Sequence, residues 1–217
     1  MRYLVITISI LFLLFSSVYS QKIDTTNNKR IDIGSLNSNN YRNNYFNFGI
    51  IIPNDWKVLN KEELVNTNNY KLEIIKSENG LTDEEIKSRM EKFVILLSTS
   101  KNPISLIPLI IFYTLDLDLD LTDYTETHYL NNYKNTVNKM YKSVGVEFSF
   151  SEIEEEYIDE KKFNSFVVTV KRSGLYAYQK VYSTKFGNKF LNILANYETE
   201  ETKKETQDFL KGIKWGK

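Results

Sequence analysis

Asp116, Asp118 and Asp120 alternate with leucine in the run LDLDLDLTD, Leu115 to Asp123. An extended backbone therefore puts three carboxylates on one side and Leu115, Leu117, Leu119 and Leu121 on the other. Carboxylate oxygens gathered this way suit a hard cation such as calcium. A helix-loop-helix calcium site also needs glycine after Asp120 and glutamate at its twelfth position, where this chain has Leu121 and Thr127. A half-buried strand with an acidic solvent face accounts for the run more simply, and such a face also deters edge pairing. Ligation of a metal by Asp116, Asp118 and Asp120 is the secondary reading.

Three other groups have the residue types for chemistry. Glu152 with Glu154 to Glu156 offers carboxylates for general acid-base work, but a solvated strand end explains them, and no spacing sets a second carboxylate at a defined separation. His128, the only histidine, falls near the start of a helical pattern, where ordinary packing or surface placement is the expectation. Tyr176, Tyr178, Tyr182 and Phe186 share one face of an extended segment, with Lys180 between them and Lys185 near its end. Such a stripe can stack nucleic-acid bases or sugars, yet the core face beneath a helix is the favoured assignment.

Whole classes of chemistry are excluded. With no cysteine there is no thiolate catalysis, redox exchange, disulfide, iron–sulfur cluster or Cys/His zinc site. No G-x-S-x-G elbow presents a serine, and no glycine-rich phosphate loop occurs. We therefore expect no catalytic residue and no cofactor.

The elements that position these residues follow from periodicity and punctuation. Tyr45 to Trp56 reads YFNFGIIIPNDW, a buried strand closed by Pro53-Asn54-Asp55 turn chemistry. Lys71 to Lys76 reads as a short strand, and Thr82 with Glu85 forms a capping-box pattern for a helix to about Lys92. Phe93 to Ser98 and Ile104 to Leu115 are apolar runs expected as neighbouring strands, with Pro108 placing a bulge, an edge or a later strand start in the second. From Thr122 the period becomes helical: Leu130, Tyr133, Val137, Met140 and Val144 recur at 3-4-3-4 spacing until Gly145. Four strand-like segments follow, Glu147 to Ile158, Phe163 to Arg172, Leu175 to Phe186 and Lys189 to Tyr197, and their short turns force antiparallel neighbours. Thr199 then caps a last helix through Leu210, with Gly212 ending it and Ile213 and Trp215 returning to the core. The sum is an α+β fold, an αβα sandwich whose mainly antiparallel sheet is covered by helices.

Residues 1–20 carry Arg2, the apolar run Leu4 to Phe15 and a small-residue end at Val18 and Ser20, the order of a cleavable signal peptide. The run is short of the about 20 residues that cross a bilayer, so no membrane span is expected after cleavage. Residues 21–44 are rich in asparagine and poor in apolar side chains, which predicts a flexible linker. Residues 45–217 then form a single domain. Lys and Arg number 28 and Asp and Glu 28, and Arg2 is the leader's only charge, leaving the mature chain one negative charge in excess. That balance gives no support for nucleic-acid binding.

The segment FNFGIIIPNDW, the helix placed before a strand meander and a closing helix ending in FLKGIKW together resemble the PsbP-like family, the extrinsic P protein of photosystem II and its bacterial relatives. The resemblance runs from about Tyr45 to Trp215. It implies an αβα sandwich and mostly non-catalytic accessory or binding roles. No basic patch matches photosystem docking, so that function is not carried over. The expectation is an exported domain, periplasmic or extracellular, that binds a protein partner. The alternatives are a carboxylate-based hydrolase and a calcium-dependent structural or adhesion module.

Overall fold

The computed structural model describes residues 32–60, 93–102, 106–115, 124–143, 145–172 and 174–216. The leader, the strand expected at Lys71 to Lys76, the helix expected from Thr82 and the acidic run at Asp116, Asp118 and Asp120 lie outside them.

The meander forms as its turns dictate. Strands β9 (Lys161–Arg172), β10 (Leu175–Phe186) and β11 (Lys189–Tyr197) pair antiparallel in sequence order. Gly174 and Gly187 take positive φ in the two tight turns between them, a region that side chains other than glycine enter at a cost. β5 (Phe93–Ser100) and β6 (Leu109–Leu115) pair with each other, and β6 also pairs with β11. β6 begins directly after Pro108, which has no N–H to give a ladder. On the far side, the segment expected as one strand is broken into β7 (Glu147–Phe150) and β8 (Glu154–Ile158), and both pair with β9. Ser151 holds the break by exchanging bonds with Val167: Ser151 N donates to the Val167 carbonyl at 2.9 Å and Val167 N to Ser151 Oγ at 2.9 Å. β4 (Lys57–Val58) completes this large sheet beside β5.

A second sheet was not anticipated. β1 (Ser35–Asn37), β2 (Asn40–Asn43), β3 (Phe48–Ile51) and β12 (Ile213–Trp215) form a four-stranded antiparallel sheet. The linker expectation for 21–44 therefore fails from Ser35 onward. Tyr41 and Asn43 alternate inward between exposed neighbours, and Asn43 does local work that composition conceals. Its Nδ2 donates to the Asp32 carbonyl at 2.9 Å, and its Oδ1 accepts from Phe46 N at 2.9 Å, building the turn into β3.

Two helices complete the described chain, α1 (Glu126–Ser143) and α2 (Glu200–Lys211). Every strand pairing among the described residues is antiparallel, and the α+β class stands. α1 lays Tyr129, Leu130, Tyr133, Val137 and Tyr141 on one face of the large sheet, against Tyr113, Phe166, Val168 and Leu194. Gly145, at φ +62°, ends it as expected. The opposite face of the large sheet is covered by α2 through Phe209 and Leu210, and by the small sheet through Phe46, Phe48 and Ile50. Helices alone therefore do not cover the second face, because three short N-terminal strands and one C-terminal strand fill the area that one helix leaves open.

Thr199 caps α2 in a reciprocal arrangement: Thr202 N donates to Thr199 Oγ1, and Thr199 N donates to Thr202 Oγ1. Lys101 ties the helix to the sheet, pairing with Glu205 at 2.6 Å and with Asp55 at 2.9 Å. Both carboxylates hold the Lys101 ammonium above its ordinary range, and Lys101 holds the Asp55 carboxyl below its own.

Candidate functional site: a cationic groove on the small sheet

The outer face of the small sheet is open. An elongated groove of about 540 Å³ runs across β2, β3 and β12. Cross-strand register explains its shape: Arg42 lies opposite Gly49, and Gly49 lies opposite Lys214. The row reads cation, bare backbone, cation, with the outer two Cα atoms about 10 Å apart at the usual strand spacing.

Each part of this row has a local cause. Arg42 and Lys214 occupy the outward positions of strands whose alternate residues, Tyr41, Asn43 and Ile213, are buried. Gly49 leaves the floor uncovered, and a Cβ there would sit 3.2 Å from the Tyr41 carbonyl oxygen. The end wall is fixed by a pair of bonds between Asn47 and Gly216: Asn47 Nδ2 donates to the Gly216 carbonyl at 3.0 Å, and Gly216 N donates to the Asn47 carbonyl at 2.8 Å. Asn47 is held at φ +52° in this turn. Ile51, 73% exposed, supplies apolar surface beside the row, while Trp215, next to Lys214, turns its ring inward onto Phe48 and Phe163.

The electrostatics are one-sided. No carboxylate is among the described residues that line the groove. Arg42 has no ion-pair partner among the described residues, and Lys214 reaches Asp159 at 3.3 Å while remaining well exposed. What this arrangement can do chemically is receive carboxylate or other anionic groups over a flat backbone floor, with Ile51 giving apolar contact. It contains no nucleophile–base pair.

The residues singled out from sequence are dispersed. Glu156 accepts from Ser165 Oγ at 2.6 Å and pairs with Lys180, and Glu155 pairs with Lys162. These carboxylates are engaged by strand neighbours and do not converge on one another. His128 is exposed, with its ring 6.1 Å from that of Tyr124 and its backbone N bonded to Thr125 Oγ1 at 3.2 Å. The aromatic stripe runs from solvent into the core. Tyr176 is exposed, Tyr178 stacks on Tyr197 at 5.3 Å, Tyr182 is buried against Phe163, and Phe186 packs on Trp215. This is the face that α2 and the small sheet share, so only part of the stripe lies beneath a helix. Lys185 is occupied, its Nζ donating to the Tyr124 carbonyl at 2.8 Å.

Sequence reasoning missed the groove because two of its three strands, β2 and β12, lay in segments read as linker and as a C-terminal return. The usable signal was the alternation Asn40, Tyr41, Arg42, Asn43, in which one aromatic residue sits between polar ones.

Among the described residues no three or more His, Asp or Glu side chains cluster as metal ligands, and no helix is long and apolar enough to cross a membrane. No protein-family model matches the chain, and no curated protein matches it. Among solved structures, the cyanobacterial PsbP (CyanoP) of Synechocystis sp. PCC 6803, determined in solution, matches with a TM-score of 0.50 at 14% identity, over 84% of this chain and 98% of that one. At that identity the similarity speaks for the fold, and the resemblance found in FNFGIIIPNDW and FLKGIKW is matched by a PsbP-like fold spanning most of the chain.

Proposed function

We propose that this chain is an exported, non-catalytic binding protein, and that the cationic groove of the small sheet receives an acidic, extended segment of a protein partner. The observation that carries the reading is the row Arg42, Gly49, Lys214, in which two cations flank open backbone and, among the described residues, only Lys214 has a carboxylate in reach, Asp159 at 3.3 Å. Complementary charge steers encounter and fixes register, while the exposed Ile51 gives apolar contact that charge alone does not supply. The PsbP-like fold supports an accessory role, and the leader from Arg2 to Ser20 supports export.

Trp215 follows Lys214 directly on β12, so its fluorescence reports a change at the groove. An octaglutamate peptide should change that signal saturably at low salt, an octalysine peptide should not, and Arg42→Glu with Lys214→Glu should weaken the response at least tenfold. An equal response from the wild type and the double variant overturns the groove assignment. Retention of residues 1–20 on the chain recovered from its native cell, read by intact mass, overturns cleavage of the leader.

A further inference from the structure

The face of the large sheet beneath α1 carries a line of polar side chains where apolar ones are the norm. Tyr113 on β6 lies opposite Asn192 on β11, Asn192 opposite Ser183 on β10, and Ser183 opposite Asn164 on β9. One cross-strand row thus spans the four central strands, about 14 Å at the usual spacing. All four residues are buried, the first three completely and Asn164 at 9% exposure. A second polar pair, Gln179 and Asn196, lies farther along the same face, beyond Val181 and Leu194, with Gln179 Nε2 donating to Asn196 Oδ1 at 3.1 Å.

α1 meets this row with phenols. Tyr129 and Tyr133 come down from the helix with their hydroxyls against that of Tyr113, and the Asn192 amide lies beside the Tyr129 hydroxyl. The Tyr129 ring is fixed by stacking on Phe190 at 4.5 Å. The helix is held over the row at its N-terminal end, where Glu126 accepts from Lys185 N at 3.2 Å.

Hydroxyl and amide groups in an apolar layer cost free energy unless each finds a hydrogen-bond partner. Here the protein does not provide enough of them. Ser183 Oγ and Asn192 Oδ1 are each fully buried and have no hydrogen-bond partner among the described residues. Ser183 and Asn192 are direct cross-strand neighbours, so their unpaired groups lie on one face within reach of a single bridging molecule. The molecule must donate and accept, must be small, and needs two to four polar partners, which are the requirements of an ordered internal water.

We infer that the layer between α1 and the large sheet contains a built site for internal water, bound by Ser183, Asn192 and the Tyr113–Tyr129 hydroxyl pair. The row ends at the sheet edge. Beyond Asn164 its next cross-strand neighbour is Glu155, which is exposed at the sheet edge. The site is separate from the groove on the small sheet and does not depend on the function proposed for it, since the two lie on opposite faces of the large sheet.

The test is nuclear Overhauser spectroscopy between water and backbone amides of the full mature chain, with oxygen-17 relaxation dispersion to count long-lived waters. Long-lived water at the amides of Ser183 and Asn192 is the expected result, and its absence from the folded wild type overturns the inference. Ser183→Ala separates the cases by sign. Removing a hydroxyl that holds a water should lower Tm by about 2–4 °C, whereas removing a hydroxyl that is dry and unpaired should leave Tm unchanged or raise it. The variant Asn192→Leu with Ser183→Ala should lose the water signal altogether. Should that variant fail to fold, Ser183→Ala alone still decides between the two signs.

Discussion

Trp215 donates its indole N–H to the Ile158 carbonyl at 2.8 Å, joining the last strand of the small sheet to the end of β8 in the large one. The same ring packs against Phe48, Phe163 and Phe186, so one side chain from a three-residue strand contacts both sheets. Trp215→Ala removes that packing and orphans the carbonyl, and should cost about 3 kcal/mol, toward the low end for large aromatic truncations because the ring is half-buried. Urea unfolding monitored by circular dichroism measures it.

Phe209 is the residue through which α2 holds both layers. It is buried against Trp56 at 4.6 Å between ring centres. Phe209→Ala should therefore cost about 3–5 kcal/mol and blue-shifted Trp56 emission should be lost. A loss below about 1 kcal/mol in denaturant titration contradicts this packing.

The cap of α2 uses threonine where glutamate is usual. Because Thr199 and Thr202 bond each other's backbone N–H, Thr199→Ala and Thr202→Ala each break the reciprocal pair. Each should cost about 1 kcal/mol, and the double variant should cost less than the sum because one motif is lost in both. A double-mutant cycle by thermal unfolding reads the coupling directly.

Alkaline conditions should destabilise the fold through its buried phenols. Burial pushes the Tyr41 hydroxyl up to about 12, with Asp32 adding to the rise, and burial pushes Tyr197 up to about 12 as well, with Glu200 adding to it. In the unfolded chain these groups ionise near pH 10. The native state then binds more protons than the unfolded state, so stability is fully present below pH 10 and falls as pH rises toward 12. Each tyrosine accounts for a loss of about 2–3 kcal/mol across that window. Tyr41→Phe should flatten the decline between pH 10 and 12 in urea titrations, whatever it does to stability at pH 7.

Arg42 and Lys214 are placed for binding and contribute little to the core. Arg42→Glu and Lys214→Glu should each shift unfolding free energy by no more than about 0.5 kcal/mol while weakening capture of an acidic peptide. A large stability loss from either would mean that the side chain holds the sheet together.

The middle helix, the meander and the closing helix were legible because each is a local pattern: the phenol and aliphatic spacing of Tyr129 to Tyr141, the tight turns at Gly174 and Gly187, and the threonine before Glu200. Pro108 likewise marked the start of β6. The small sheet was not legible as a sheet, because β1 and β2 are short and polar, and β12 joins β3 from far away in sequence. Asn43 illustrates the difficulty: its type belongs to loops, yet its amide is buried and builds the turn into β3. The groove was hidden for the same reason, since Arg42, Gly49 and Lys214 become neighbours only through register. The polar row beneath α1 escaped notice because Asn192 and Ser183 interrupt otherwise apolar strands singly.

β12 has an effect on the order of events during biogenesis. Its neighbour β3 is made early, and the bond from Asn47 to Gly216 spans 169 residues. Closing so long a loop is slow and offers no reward until both ends are present. A chain threading out of a ribosome or a translocation pore therefore carries β1 to β3 as an unfinished hairpin, with Phe46, Phe48 and Ile50 uncovered, until Ile213 to Trp215 arrive. The cationic groove exists only after that moment, so a chain that displays it has already completed its fold.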